Sequence, residues 1–561
     1  MKYPATRPNL QPFEAMHPFF SMLPPPPALR WIAPLFALAL FASCSPRETP
    51  VEKATRDHTL ILGNAAEPAD LDPQLMTAYT DGNVHMALFE GLTALDEQSL
   101  QAVPSSAERW ETSDDGLTWT FHLRPGLRWS NGEAVLASDF VASWRRLVSP
   151  ALASDNAYLL YPIKHAAALT SGEITDLSQL GVAAPDDRTV VVTLERPTPW
   201  FAQLTAAVPT FVLNPRTLAA FDATHHRGTA WTRPSNLVGS GPFALEGWRP
   251  QAHVTVRKNP HHWQASSIAL ESIVFLPTDN PDVDERNFRA GQVHATQNLP
   301  IAKIADWRQR APAQLRIDPL TQSNFLRFNT ARPPLDDPRI RRALSLAIDR
   351  DTFARTILQS TRAPAFALTP PHLAGYTARA RIATDLAAAR QLLADAGHPD
   401  GRDLPVFELQ CRNDEIHPRY AEALQATWQR ELGIRVTIAP SEQKTWLENQ
   451  QSGNYTITFG AWLADFPDAS NFLGLFTSTS GYNWTGWKNA DYDRLLAEAS
   501  PLADTARRHE LYQQAESLLL ESAPIAPLYF GASTYLLHPA VKGWPPASLG
   551  WRRYQLVHLG N

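Results

Sequence analysis

Two carboxylates lie among aromatic side chains in the segment from Gly460 to Phe476, GAWLADFPDASNFLGLF. They belong to Asp465 and Asp468, and the segment contains no Lys, Arg or His. An ionised carboxylate is costly to bury unless it is paired and hydrogen-bonded. The pattern therefore predicts one of two arrangements. Either the acids face water, or a cation reaches them from elsewhere, for example on a ligand.

The residues 406–439 predict a βαβ unit that would place a histidine at a ligand-binding edge. VFELQC is a predicted strand, HPRYAEALQATWQREL a helix that ends at Gly433, and IRVTIAP the next strand. A right-handed crossover makes these strands parallel. His417 begins the helix at the carboxyl end of its strand, where open α/β sheets bind ligands and a helix N-terminus favours an anion. It either helps to hold a carboxylate or caps the helix and faces water.

Catalytic and metal-binding patterns are absent from the sequence. It contains neither G-x-S-x-G nor H-E-x-x-H. His225–His226 and His261–His262 are adjacent pairs, and neighbouring residues do not face one site in regular structure. We therefore predict no catalytic residue, no metal ligand and no cofactor. The net charge of −6 gives no reason to expect nucleic acid as a partner.

Further elements follow from hydrophobic periodicity. Alternating runs predict strands at 58–64, 117–124, 188–195, 253–259 and 272–278. DDPRIRRALSLAIDR, 336–350, predicts one helix with Asp337 as its N-cap and an apolar face that packs on a sheet. Cys411 alternates with apolar residues in its strand and is expected to be a buried, inert thiol.

The N-terminal residues predict an export signal. Arg30 precedes 13 largely apolar residues, 31–43, which are too few to span a membrane and fit a signal-peptide core. FASC resembles a bacterial lipobox, so residues 1–43 are a predicted signal peptide and Cys44 a predicted lipidation site. The alternatives are an uncleaved anchor or an ordinary signal peptide, and the candidate start residues are Met1, Met16 and Met22. The polar residues 44–57 predict a flexible tether.

Several blocks in collinear order resemble one known family. They are AEPADLDPQ, LFEGL, residues 107–150, NLVGSGPFALEGW, VRKNPHHW, DDPRIRRALSLAIDR and GAWLADFPDASNFL. From about residue 58 to the C-terminus, the chain resembles extracytoplasmic solute-binding proteins of the oligopeptide/dipeptide ABC-transporter type. The resemblance implies an α/β fold of the type II periplasmic binding protein, with two lobes, mixed sheets, a hinge and an extra domain. Lobe I would comprise 45–78, 200–316 and 531–561, the extra domain 79–199, and lobe II 317–530.

The same resemblance implies residue roles. Asp465, three residues after Trp462, matches the carboxylate that pairs with a peptide's α-amine, while Asp468 is expected in a turn or at the surface. Gly460 and Ala461 would pair with the peptide backbone. His417 matches a histidine near the ligand carboxylate, but Phe459 stands where the oligopeptide type has an Arg, which leaves peptide length open. Weaker matches, each equally consistent with core, are Tyr79, Asn324, Phe325 and Trp446.

The implied function is that of a lipid-anchored peptide-binding component of an importer. Its partners would be short peptides and inner-membrane ABC permease subunits, and it would be a periplasmic monomer whose only membrane contact is the lipid. One alternative is the same fold binding nickel, haem, an oligosaccharide or a murein peptide. The other is a hydrolytic enzyme on an unrelated α/β fold.

Overall fold

The alternating runs of the sequence form strands in the computed structural model, which describes residues 48–560. All five predicted strands are present within two residues of their expected bounds. The strands are β1 Thr59–Gly63, β2 Thr93–Leu95, β3 Ala102–Pro104, β4 Ala107–Thr112, β5 Thr118–Leu123, β6 Val182–Asp186, β7 Thr189–Thr193, β8 Phe243–Arg249, β9 His253–Lys258, β10 Ser272–Leu276, β11 Leu315–Phe328, β12 Phe407–Arg412, β13 Val436–Ser441, β14 Ile457–Leu463, β15 Ile525–Leu536, β16 Val541–Lys542 and β17 His558–Leu559.

Helices separate these strands along the chain. They are α1 Pro50–Arg56, α2 Tyr79–Leu88, α3 Ala137–Leu147, α4 Ala166–Ser171, α5 Phe201–Leu204, α6 Pro215–Ala220, α7 Pro281–Arg289, α8 Ile304–Arg310, α9 Pro338–Leu346, α10 Arg350–Thr356, α11 Leu386–Asp395, α12 His417–Leu432, α13 Gln443–Gln451, α14 Ser470–Leu473, α15 Ala490–Ala499 and α16 Thr505–Ser522. Within residues 48–560, none of them is long and apolar enough to cross a membrane.

Three sheets organise the chain. The first has the order β1-β10-β9-β8 and is mixed, since β1 and β10 are parallel and the other pairs antiparallel. The second, β13-β12-β14-β11-β15, is also mixed. The third, β4-β5-β7-β6, is antiparallel. Each sheet buries its own cluster of apolar side chains, which gives the chain several cores.

Two long strands run from the second sheet toward the first. β11 and β15 pair antiparallel over most of their length, with a break in register between Pro319 and Ser323. At the far end of β15, Leu536 accepts a hydrogen bond from the backbone of Thr296, and Leu537 bridges Ala295, which in turn bridges Leu62 of β1. The two mixed sheets are therefore joined by continuous strands and not by one flexible linker.

The predicted βαβ unit is confirmed. β12 and β13 are parallel neighbours, and α12 connects them. Gly433 ends α12 with φ of 67°, a left-handed conformation that glycine adopts without strain. Cys411 is a buried free thiol, and burial raises its pKa to about 11, as expected of an inert cysteine.

Two local predictions need correction. The helix predicted over 336–350 is present as α9 but ends at Leu346, and the Asp349 side chain accepts the Thr352 amide to start a second helix, α10. Asp337 does cap α9, as predicted. The flexible tether of 44–57 contains helix α1 instead. Thr49 and Glu52 form a capping box there, and Val51 is buried.

Candidate functional site

Asp465 lies two residues beyond β14, where the part of the chain built on the second sheet meets the part built on the third. Its backbone amide and the indole N–H of Trp462 both donate to Oδ1 of Asn471, at 3.2 and 2.7 Å. The hydroxyl of Tyr158, from the connection between β5 and β6, hydrogen-bonds the Asp465 carboxylate. The carboxylate is thus held from two sides by neutral groups.

No cation pairs with Asp465 within the described residues, whose ion pairs all involve other acids. Burial raises its pKa to about 6, and the hydrogen bonds from Asn471 and Tyr158 only partly offset this effect. Near neutral pH the group therefore carries a charge that its surroundings stabilise poorly. A cationic group that enters beside it would restore the lost interaction.

Asp468 differs from the prediction. It was expected in a turn or at the surface, but only 2% of the residue is exposed. Arg508 from α16 lies 3.6 Å from its carboxylate, and the Tyr512 hydroxyl donates to it at 3.0 Å. The cation missing from the local sequence is thus supplied to Asp468 by a helix about 40 residues away, and only Asp465 is left without one.

Aromatic rings continue from Asp465 along the site. Trp462 contacts Tyr482 at 5.0 Å between ring centroids, and Tyr482 contacts Trp484 at 6.1 Å. We call these three residues the aromatic row. Beside them, Phe466 stacks on Trp200 at 5.6 Å, which joins the second-sheet part of the chain to the segment after β7.

A cavity of about 300 Å³ opens along the aromatic row, under helix α13. Five predicted site residues line it: Asn324, His417, Gly460, Ala461 and Trp462. Trp446, a weaker match, also lines it and donates its indole N–H to Thr458 at 3.1 Å. Residues far apart in the sequence thus meet at one cavity, next to the end of β14.

His417 is buried at this cavity and does not face water. Its Nδ1 lies 2.6 Å from Asp414 Oδ2, and its backbone amide donates to Asp414 Oδ1 at 2.9 Å. Burial alone would raise the pKa of Asp414, but the contacts with His417 and Arg412 hold that pKa well below its usual range. Asp414 therefore fixes the orientation of the imidazole.

Three predicted residues lie elsewhere. Phe459 is buried in the core of the second sheet, where its ring centroid lies 4.9 Å from that of His417. Phe325 is fully buried beneath Gly460 and contacts Phe476. Tyr79 lines a separate small cavity and stacks on Trp551 at 5.4 Å. Cys44 lies outside the described residues.

The sequence reasoning missed several residues that the structure brings to the site: Tyr158, Arg327, Arg412, Gln450, Asn471, Tyr482 and Trp484. Arg327 carried one readable signal, because it is a lone charge in the largely apolar run NFLRF, which forms the end of β11. Tyr158 and Gln450 carried none, since only tertiary contacts bring them here.

Comparison with known proteins agrees with this architecture. Residues 101–484 match the family model of bacterial extracellular solute-binding proteins, family 5. The chain is 37% identical to the probable deoxycholate-binding periplasmic protein YgiS of Escherichia coli, over 92% of this chain and 96% of that protein. It is 31% identical to the periplasmic oligopeptide-binding protein OppA of Salmonella typhimurium, over 91% and 94%.

Solved structures give the same result. The unliganded, open form of the periplasmic murein tripeptide-binding protein MppA superposes with a TM-score of 0.77 at 32% identity, covering 90% of this chain and 97% of that one. OppA of Burkholderia pseudomallei gives 0.76 at 30% identity, covering 90% and 99%. These neighbours confirm the predicted two-lobed type II fold. The chain belongs to the family of bacterial extracellular solute-binding proteins, family 5.

Proposed function

We propose that this chain is the substrate-binding component of an ABC importer for short peptides, and that Asp465 anchors the peptide's α-amine. The observation that carries the proposal is the partly buried carboxylate of Asp465, which lacks a cation among the described residues and has a raised pKa. A protonated amine placed beside it forms a desolvated ion pair, in which each charge compensates the other. Relatives named for oligopeptides and murein peptides bind ligands that carry such an amine.

An unpaired strand edge supports a peptide over other solutes. β12 pairs with β14 only at Ile457 and Thr458. Beyond Thr458, no described strand pairs with that edge of β14, so the backbone of Gly460 and its neighbours is open there. An extended peptide can pair with such an edge, which gives affinity without reading side chains.

A second candidate is an amphipathic carboxylate without an amine, because the relative with 37% identity is named for deoxycholate. The aromatic row would suit an apolar ring system, but such a ligand brings no cation to Asp465. The hydrolytic alternative is set aside, since members of this family are binding components and not enzymes. Peptide binding therefore remains the function that the site supports best.

Calorimetry on protein that has been unfolded, dialysed and refolded to remove bound ligand tests the proposal. The titrants are a tripeptide library with free amines, the same library N-acetylated, and deoxycholate. We expect binding of the first library and a loss of at least tenfold on acetylation. Binding of deoxycholate alone would overturn the peptide assignment in favour of the second candidate, and mass spectrometry of the ligand that co-purifies would confirm the outcome.

The place of the protein in the cell forms a separate part of the proposal. We infer that residues 1–43 are removed and that Cys44 is lipidated, which would tether a periplasmic monomer near its permease. Metabolic labelling with a fatty acid and cell fractionation test this. A Cys44→Ser variant should lose both label and membrane association, and unchanged association would refute lipid anchoring.

A further inference from the structure

Arg327 is a buried cation with no acidic partner within residues 48–560. It lies on β11, and 2% of the residue is exposed. Its Nη1 donates to the amide oxygen of Gln450, a neutral group, while its Nε has no partner among the described residues. The guanidinium carbon lies 4.7 Å from the ring centre of Trp484 and 5.2 Å from that of Phe325. Aromatic faces and an amide are its surroundings.

Two other buried arginines show what a structural role looks like in this fold. Arg350 donates to the carbonyls of Pro527, Ser345 and Ile348 and to a serine hydroxyl. Arg341 likewise donates to four backbone carbonyls. In both, every guanidinium nitrogen donates a hydrogen bond, which holds chain segments together. Among the described residues, Arg327 donates to no backbone carbonyl, so contacts of this kind do not account for its burial.

The position of Arg327 points to a ligand. Its side chain lines the same cavity as Gly460, Trp462 and His417. A Cβ at Gly460 would lie 3.0 Å from its Nη1 and 2.8 Å from Phe325, so the absence of a side chain there makes room for the guanidinium. The guanidinium thus reaches the cavity beside the strand that leads to Asp465.

Further hydrogen-bond donors at this cavity are unused. The side-chain amide nitrogens of Asn324 and Gln450 are buried without partners, within the part of the chain described. Arg412 also lines the cavity, but it is already paired with Asp414 at 2.8 Å, the acid that holds His417. Among the described residues, the side-chain N–H donors of Asn324 and Gln450 therefore remain without hydrogen-bond partners at this cavity, next to the positive charge of Arg327, which no acid compensates.

We propose that Arg327, Asn324 and Gln450 form a subsite for an anionic group of the ligand, most simply a carboxylate. A carboxylate accepts several N–H groups at once and neutralises the guanidinium. Because burial lowers the pKa of Arg327 only to about 10, the group stays charged at neutral pH. The aromatic row separates this cation from the Asp465 anion, so the two charges suit opposite ends of a zwitterionic solute. This inference rests on the proposed function and specifies the ligand's second charge.

The test compares ligands that differ only in this charge. Wild-type protein is titrated with trialanine, with trialanine amide, and with an amidated tripeptide that contains one Glu. We expect trialanine to bind at least tenfold more tightly than its amide. If the Glu peptide recovers the affinity, the carboxylate is a side chain; if it does not, it is the C-terminus. Equal affinity for all three peptides would refute the subsite. This comparison uses only the wild-type protein and requires no variant.

Variants then assign the effect to Arg327. Arg327→Gln should weaken trialanine binding by about 30-fold or more, leave the amide unchanged, and abolish the difference between them. Arg327→Lys should retain part of the difference. Arg355→Gln, an exposed arginine of the same part of the chain, is the matched control and should change neither affinity. Equal losses for trialanine and its amide in Arg327→Gln would show a structural role and refute the proposal.

One outcome separates this inference from the proposed function. If no peptide binds to the wild-type protein, the peptide assignment fails, and the subsite is tested with deoxycholate and its uncharged methyl ester. If the wild-type protein binds deoxycholate more tightly than the methyl ester, and Arg327→Gln abolishes this difference in affinity, the subsite is supported without a peptide. Equal binding of acid and ester would refute it.

Discussion

Replacing Asp465 by Asn should have opposite effects on the stability of the unliganded protein and on its affinity for peptides. The folded protein raises the pKa of this carboxyl from an ordinary 3.8 to about 6. At about 1.36 kcal/mol per pKa unit, ionising it in the fold costs about 3 kcal/mol. Asn keeps the shape of the side chain and removes that cost.

The pH dependence of the stability follows from proton linkage. Because the folded-state pKa is raised, the folded protein binds the proton more tightly than the unfolded chain, and wild-type stability falls as the pH rises from about 4 to about 6. The stability difference between Asp465→Asn and wild type should therefore be near zero at about pH 4 and reach about 3 kcal/mol above about pH 6.5. Urea unfolding followed by tryptophan fluorescence measures it.

Ligand binding reverses the effect. A peptide amine pairs with the ionised carboxylate, so wild-type affinity should exceed that of the variant by about 2–5 kcal/mol, as for loss of one partner in a buried charge pair. At pH 6, peptide binding should also release a fraction of a proton from Asp465, which calorimetry detects as a dependence of the heat on buffer ionisation. The variant should show no such release.

The control is Asp491→Asn, which removes an exposed carboxylate from the same part of the chain. It should alter neither the pH profile nor the affinity. A stability difference for Asp465→Asn that stays constant from pH 4 to pH 8, together with unchanged peptide affinity, would refute both the burial argument and the role as amine anchor.

Three further predictions concern the fold around the site. Asp468→Asn leaves the Arg508 guanidinium buried without its acid, so stability should fall by about 3 kcal/mol in urea unfolding. Cys411 should react with a thiol reagent only after unfolding, because the thiol is buried and its pKa is raised to about 11. Gly433→Ala should lower the melting temperature, since φ is 67° and the new Cβ would lie 2.2 Å from the carbonyl of Asp400; an unchanged melting temperature would contradict that geometry.

The composition of the segment 460–476 indicated two acids without a local cation, Asp465 and Asp468, and only the family resemblance chose between them. The role of Asp465 as amine anchor stays a prediction. The sequence misjudged Asp468 because the cation that buries it, Arg508, lies on a distant helix. The composition of a segment therefore indicates which charges lack an oppositely charged residue nearby in the sequence. Only the tertiary structure shows which charge lacks an oppositely charged partner in space.

Some misses could have been avoided. Side chains of a strand alternate between faces, so Phe459 must lie on the face opposite to Gly460 and Trp462, in the core. The T-x-x-E pattern of Thr49 and Glu52 is a helix start that contradicts a flexible tether. For Phe459, the family resemblance outweighed the alternation of strand side chains. For the tether, the polar composition outweighed the capping-box pattern.

Arg327 could not have been assigned in this way. A lone arginine at the end of a strand usually faces water, and its burial depends on Gln450 of α13, on Trp484, and on the missing side chain at Gly460. Among the described residues, the fold compensates Arg341 and Arg350 with carbonyl oxygens and pairs the buried Arg146, Arg508 and Arg552 with Asp72, Asp468 and Asp318. At the site, it leaves the acid Asp465 and the base Arg327 without an oppositely charged partner, on either side of the aromatic row. A solute that satisfies only one of them leaves the other charge desolvated, so selectivity for ligands carrying both charges arises from what the empty site lacks.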